Sequence, residues 1–207
     1  TTPAIDFIQD EDVEFGARTL RAHLSGEVAL TYQAVVDNGV LKGLPPVTVQ
    51  HDWNDLPAEV LTYLNPSRYC PSETMAATAW RLFGHVPPGW GQVQAICDWI
   101  HANIEYGRLQ STPNTTAFDV YVASGGMCRD FAHLAITFCR ALNIPARYVF
   151  GYMPDVGAPG PFPPMDFHAW FEAYVGGRWH TFDARHNIPR IGRVKIAHGR
   201  DAVDVAL

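Results

Sequence analysis

"GGMCRDFAHLAITFCRALNIPARYVFGY", residues 125–152, decides how this chain is read. Phe131, Leu134, Ala135, Phe138 and Leu142 recur at three- and four-residue steps, the spacing of one buried helix face. The helix is expected to start at Met127 or Cys128 and to be stopped by Asn143 and Pro145. The aromatic and β-branched run after it, "ARYVFGYM", reads as a strand. Cys128 therefore stands at a helix mouth, directly after Gly125-Gly126. A helix N-terminus carries partial positive charge and unpaired amide donors. Both favour a thiolate and can bring a cysteine pKa from ~8.5 into the range of about 3.5–7.5. The two glycines are expected to let the backbone turn tightly and leave the sulfur uncovered. A free cysteine is more commonly a small buried apolar residue. Cys97 and Cys139 fit that description, lying on or beside apolar stripes, whereas Cys128 precedes its stripe.

A thiol nucleophile needs a base to take its proton and return it to the leaving group, and histidine is the usual choice. Downstream lie a Pro/Gly-rich loop at 154–164, then "FHAWFEAYV", the Gly176-Gly177 turn and "RWHTFDA". The two apolar runs read as a β-hairpin. In the first, His168, Trp170, Glu172 and Tyr174 share one face, and Phe167, Ala169, Phe171 and Ala173 the other. Asp183 ends the second. His168 and Asp183 are each about seven residues from the turn, so a paired register is expected to place them side by side, within reach of an imidazole–carboxylate hydrogen bond. Cys128, His168 and Asp183 together form a nucleophile, a base and an orienting acid.

Working outward to the N-terminal side, "WGQVQAICDWIHANIEYG" sets Val93, Ile96, Cys97, Ile100 and Ile104 on one helical stripe. Shorter helices are expected over "DLPAEVLTYL", with Asp55 as cap and Pro57 in the first turn, and over "PSETMAATAWRLFGH", with Ser72 as cap and Gly84 near its end. A further short helix begins near Thr116, where Asp119 is placed to cap or brace the loop ahead of Cys128. Residues 1–52 read as a β-rich region, with Leu30, Tyr32 and Ala34 alternating onto one face before an Asp37-Asn38-Gly39 turn. Residues 53–207 form the core domain. Strands, then helices, then strands is an α+β order, not an alternating βαβ one.

Composition limits the partners. The chain has 207 residues, 47% hydrophobic and 17% charged, which is globular. Its net charge of −6, with no run of five like charges, does not suggest a nucleic-acid or anionic-membrane partner. No apolar stretch reaches the ~20 residues needed to span a bilayer. The opening "TTPAIDFIQDEDVEF" has neither the basic nor the apolar part of a signal peptide, though the missing initiator Met makes a processed or incomplete chain an open reading. The four cysteines, with no CxxC pair, suggest a reduced, cytoplasmic protein.

These motifs carry a resemblance. "GGMCRDFAHLAITFCRALNIPARYVFGY", "DFHAWFEAYVGGRWHTFDA" and the closing "IAHGRDAVDVA" resemble the transglutaminase-like superfamily, in particular its bacterial cysteine-protease branch, over roughly residues 70–207. The resemblance implies a papain-like α+β core, preceded in that branch by a β-domain. It implies Cys128 as nucleophile, His168 as general base and acid, and Asp183 as orienter, acting through a thioester on a peptide or protein amide. The oxyanion would be held by the Cys128 N–H and one upstream donor, for which Tyr106 is the candidate. The chain has Ala184 where relatives commonly follow the acid with Pro, which bears on the local turn.

The remaining features have bland readings. Asp130 is expected to favour the helix dipole, with Tyr106 as a second supporting residue of the site. Arg129 and Arg147 could bind an acidic group, but paired or solvated arginines are the rule. His180, His186 and His198 lack the ligand spacing of a zinc site, and no calcium loop is present, so no metal or organic cofactor is expected. The loop at 154–164 is either a lid or a passive connection. Three functions follow, in this order: a thiol-dependent peptidase, amidase or transglutaminase; a peptide-binding module carrying the same residues idle; and a metal-dependent hydrolase using the histidines.

Overall fold

The structure, a computed structural model, describes residues 6–11, 15, 18–29, 31, 33–37, 49–109, 111–154, 156 and 167–205. Its helices are α1 (Ala58–Leu61), α2 (Ala76–Phe83), α3 (Trp90–Asn103), α4 (Ala117–Ala123) and α5 (Cys128–Ala141). Its strands are β1 (Phe7–Glu11), β2 (Arg18–Ala22), β3 (Glu105–Tyr106), β4 (Gly125–Gly126), β5 (Ala146–Tyr152), β6 (Phe167–Val175), β7 (Arg178–Phe182) and β8 (Val194–Gly199). This is the expected α+β architecture.

Helix α5 is the centre of the molecule. The periodicity predicts one buried face, yet every residue from Asp130 to Arg140 is buried. The sheet covers one side of the helix, against β6 and β5, and α2, α3 and α4 cover the others. Phe131, Leu134, Phe138 and Cys139 lie in one apolar cluster with Val93, Ile96 and Ile100 of α3 and with Phe171 and Ala173 of β6. The buried cation of α5 is fully paired. The buried Arg140 guanidinium donates to the carbonyls of Ala146, Asn65 and Arg200 and to Ser67 Oγ, at 2.6–3.1 Å. These bonds tie the end of the helix to the start of β5 and to two segments far away in the chain, at Asn65–Ser67 and at Arg200.

The main sheet is antiparallel, in the order β7-β6-β5-β8. Gly176 and Gly177 take φ of 60° and 79°, as a two-residue hairpin turn requires. The alternation of β6 runs as the sequence predicts: Ala169, Phe171, Ala173 and Val175 enter the core. Strand β8, an edge strand, is an addition. Lys195 and His198 interrupt its apolar pattern, so no strand signal stands out there.

The starts of α4 and α5 are those the sequence predicts, and those of α1 and α2 lie further along the chain. Thr116 caps α4 and forms a reciprocal pair with Asp119. Asp55, however, ends a short 3-10 turn capped by Asp52, and α1 begins after Pro57. Ser72 is buried in a turn, and α2 begins only after Met75. In the β-rich region, β1 and β2 form a hairpin whose second strand is exposed throughout. The described residues between 23 and 37 take no regular structure. Leu30, Tyr32, Asn38 and Gly39 lie outside the described residues, as does most of the 154–164 loop.

Candidate active site

Cys128 is the first residue of α5, as its sequence position requires. The role of the glycines before it differs from expectation. Neither Gly125 nor Gly126 has positive φ; the left-handed residue is Ser124, with φ 52°. The glycines instead form β4, which pairs in parallel with β3 and is buried. A Cβ on Gly125 would sit 2.7 Å from Arg108 Cβ, and one on Gly126 2.8 Å from Asp130 Cβ. Close packing, not a tight turn, demands glycine here. Asp130 is buried, and its Oδ2 accepts the Met127 N–H at 2.8 Å and the Ser111 hydroxyl. It fixes the chain at the entrance to α5 and does not line the cleft.

The backbone N–H groups of Ala169 and Arg129 lie on the side of the charged form of Cys128. Both contacts, with the nearby Arg185 guanidinium, favour a thiolate. Burial is the larger effect and pushes the Cys128 thiol up, against the lowering that a helix N-terminus alone predicts. Burial also moves His168 below the ordinary histidine range, more than Asp183 raises it. Both groups are therefore neutral at rest near pH 7.

His168 is 5% exposed, and its Nε2 lies 2.9 Å from Asp183 Oδ2. Burial alone would raise the Asp183 carboxyl, but bonds from His168 and His186 hold it well below the usual range. It is a carboxylate, so Nε2 carries the proton and Nδ1 is left as the basic atom. The way the pair meets corrects the register argument. β6 and β7 pair Phe171 with Phe182, which puts Asp183 beside Trp170, not beside His168. His168 and Asp183 are diagonal neighbours on one face, two residues offset, and the two side chains close the gap.

Asp183 has more partners than the sequence suggested. Oδ2 also faces His186 Nδ1 at 3.1 Å and Arg193 Nη2 at 3.2 Å, while Oδ1 accepts the backbone N–H groups of Arg185 and His186. The run "DARHN" was visible, and its histidine three residues after the acid was the available signal. Arg193 gave none, because it comes from the loop before β8. The ligand atoms of His168, Asp183 and His186 lie within 4.8 Å of one another and are the residues that could hold a cation. The Arg193 guanidinium on the same oxygen opposes one, and orientation of His168 accounts for the group. His180 packs edge-on against Trp90, and His198 is pushed down to about 4 by burial and by Arg147 and Lys195, so neither joins that group.

Cys128, His168 and Ala169 line one cleft of about 460 Å³, walled by Tyr69, Tyr148 and Phe150 among others. Tyr106 is not among its lining residues. Its ring lies under Arg185, 3.6 Å from the guanidinium carbon, so it holds the arginine whose charge reaches Cys128. Trp99 packs on Phe83 and Phe138 beside the core cluster. Arg147 is taken by Glu172 at 2.6 Å and by the Trp179 face, whereas Arg129 lines the cleft.

Comparison with known proteins bears on the family and the fold. The chain is 27% identical over 188 residues to the uncharacterized protein ML0607 of Mycobacterium leprae, covering 87% of this chain and 66% of that protein. It is 31% identical over 115 residues to the uncharacterized protein Rv2569c of Mycobacterium tuberculosis, covering 51% and 37%. The chain thus spans about two thirds of the first relative and little more than a third of the second. The crystal structure of "a Putative Cysteine Protease from Cytophaga hutchinsonii" superposes with a TM-score of 0.78 at 33% identity, over 99% of this chain and 70% of that one. Residues 77–184, which carry Cys128, His168 and Asp183, match the model of the transglutaminase-like superfamily, and the chain belongs to that superfamily.

Proposed function

We propose that this chain catalyses thiol-dependent acyl transfer on amide bonds of a peptide or protein. The observation that carries the proposal is the pairing of Cys128 and His168 on one cleft, with His168 Nε2 fixed on Asp183 at 2.9 Å. His168 Nδ1 takes the thiol proton as Sγ attacks the amide carbonyl carbon. Because the thiol is raised and the imidazole lowered, proton transfer accompanies attack and does not precede it. The tetrahedral oxyanion is met by the Cys128 backbone N–H at the positive end of α5. The C–N bond then breaks, the imidazolium gives its proton to the departing amine, and a thioester remains on Cys128. Water, or an acceptor amine, loses a proton to His168 and attacks the thioester carbon. The C–S bond breaks and the thiol is restored. Asp183 holds the ring in the tautomer that this cycle needs and stabilises the transient imidazolium.

Hydrolysis is favoured over amine transfer by the likeness to the Cytophaga hutchinsonii protein, and no step needs a metal or organic cofactor. The test is a peptide mixture incubated with the protein, with and without a fluorescent primary amine. New peptide termini report hydrolysis, and amine incorporation reports transfer. Either product, absent with Cys128→Ala, supports the proposal. Peptide binding that persists in Cys128→Ala, without turnover by the parent, replaces it with the binding-module reading.

A further inference from the structure

The cleft has a charge pattern that acyl transfer alone does not require. Its charged lining residues at neutral pH are Arg68 and Arg129, and no carboxylate is among the lining residues, in a chain of net charge −6. Both guanidinium carbons lie near the Tyr69 ring, at 5.4 Å and 5.1 Å. Tyr69 is a fixed platform. Its N–H donates to Asp201, its hydroxyl to the Pro113 carbonyl, its carbonyl accepts from Ala117, and its ring stacks on His133.

The two arginines still have donors to give. Arg68 is exposed and has no carboxylate partner among the described residues. Arg129 Nη2 donates to the Thr112 carbonyl at 2.7 Å, and its Nε is 3.5 Å from Asp130 Oδ1 without a hydrogen bond. Its Nη1 has no partner among the described residues. Two guanidinium groups over an immobilised ring, beside apolar walls, match a planar anion attached to an apolar body.

We infer that Arg68 and Arg129 form a carboxylate subsite of the Cys128 cleft, so that the acyl donor carries a carboxylate near the bond attacked. This rests on the reading of Cys128 as nucleophile. The carboxylate is either an Asp or Glu side chain or the free C-terminus of a peptide, and the chemistry of recognition is shared.

Four thiol-reactive probes separate these cases: N-iodoacetyl-glutamic acid α-amide, N-iodoacetyl-glutamine amide, N-iodoacetyl-leucine and N-iodoacetyl-leucine amide. In each, the sulfur displaces iodide and a C–S bond forms. Labelling rates at Cys128 are read by peptide mass spectrometry and divided by the same protein's rate with iodoacetamide. At least one carboxylate probe is expected to label about tenfold faster than its neutral amide counterpart, as a charge-assisted arginine contact provides. The preference should shrink in Arg68→Gln, disappear in the double variant with Arg129→Gln, and fade with added salt. A faster glutamic acid probe identifies a side-chain carboxylate, and a faster leucine acid probe a C-terminal one. Equal rates for acid and amide probes, with iodoacetamide still labelling Cys128, overturn the subsite and leave the nucleophile standing. No labelling by any probe, in protein that labels fully once unfolded, overturns both.

Discussion

Cys128 and Cys139 stand at opposite ends of the same helix in very different surroundings. Cys139 is 0% exposed, packed in the apolar cluster, and burial pushes its thiol far up. Cys128 is partly exposed, opens onto the cleft, and has the Ala169 and Arg129 amides and the Arg185 guanidinium favouring its charged form. Helix position alone does not activate Cys128, since burial still raises its thiol. What distinguishes it is access and a base on the same cleft. Cys70 and Cys97 fall on the inert side, the first pushed up to about 12 by burial.

The largest way to break this comparison is to exchange the two cysteines for alanine. Cys128→Ala should cost at least about a thousandfold in turnover with little change in melting temperature. Cys139→Ala should keep the activity and cost stability, roughly 1–2 kcal/mol, through the small cavity it leaves. Turnover by Cys128→Ala equal to the parent would end the distinction. Next, Phe138→Ala beside Cys139 should destabilise by roughly 3–5 kcal/mol in denaturant unfolding, because Phe138 is fully buried where α3, α4 and α5 meet. A loss below about 1 kcal/mol would show that the helix interior is not the core we describe.

Smaller effects sharpen the account. Asp183→Asn keeps the shape but removes the charge that selects the His168 tautomer, so turnover should fall by about a hundredfold or more. Removing His186 should cost less, since Arg193 and two backbone amides still hold the carboxylate.

The pH dependence has a definite sign. His133 is fully buried, and burial with nearby Arg129 and Arg140 holds it well below 6.5; His168 is lowered too. The unfolded chain therefore binds protons that the folded one refuses. Stability is intact above the unfolded histidine value and falls as pH drops through about 6.5 toward the lowered folded values. The slope should approach roughly 1 kcal/mol per pH unit for His133 alone. Urea unfolding between pH 7 and 5 measures it, and an unchanged slope in His133→Gln would remove His133 as its source.

Much of the core was legible in the sequence because its signals are local. The step of Phe131, Leu134 and Phe138 gives α5, the Gly176-Gly177 pair gives the hairpin, and Thr116 with Asp119 gives the start of α4. Three features were not legible. The β6–β7 offset depends on where the turn sits to within one residue, which composition does not reveal. Arg193, and the roles of Arg68 and Tyr69 in the cleft, depend on segments far apart in the chain. The direction in which the Cys128 thiol moves was not legible either, because a sequence displays a helix end but not how deeply it is buried. Ser72 and Asp55 looked like caps, but each lies in a turn ahead of its helix.

The most direct test of Cys128 as the acylated nucleophile is intact-mass and peptide mapping after brief exposure to p-nitrophenyl acetate. The account predicts one acetyl group per chain, on Cys128, formed with a burst of nitrophenolate. It should be absent in Cys128→Ala and slower to form and to clear in His168→Ala. Acetylation spread over other residues, or the same rates with and without His168, would contradict it.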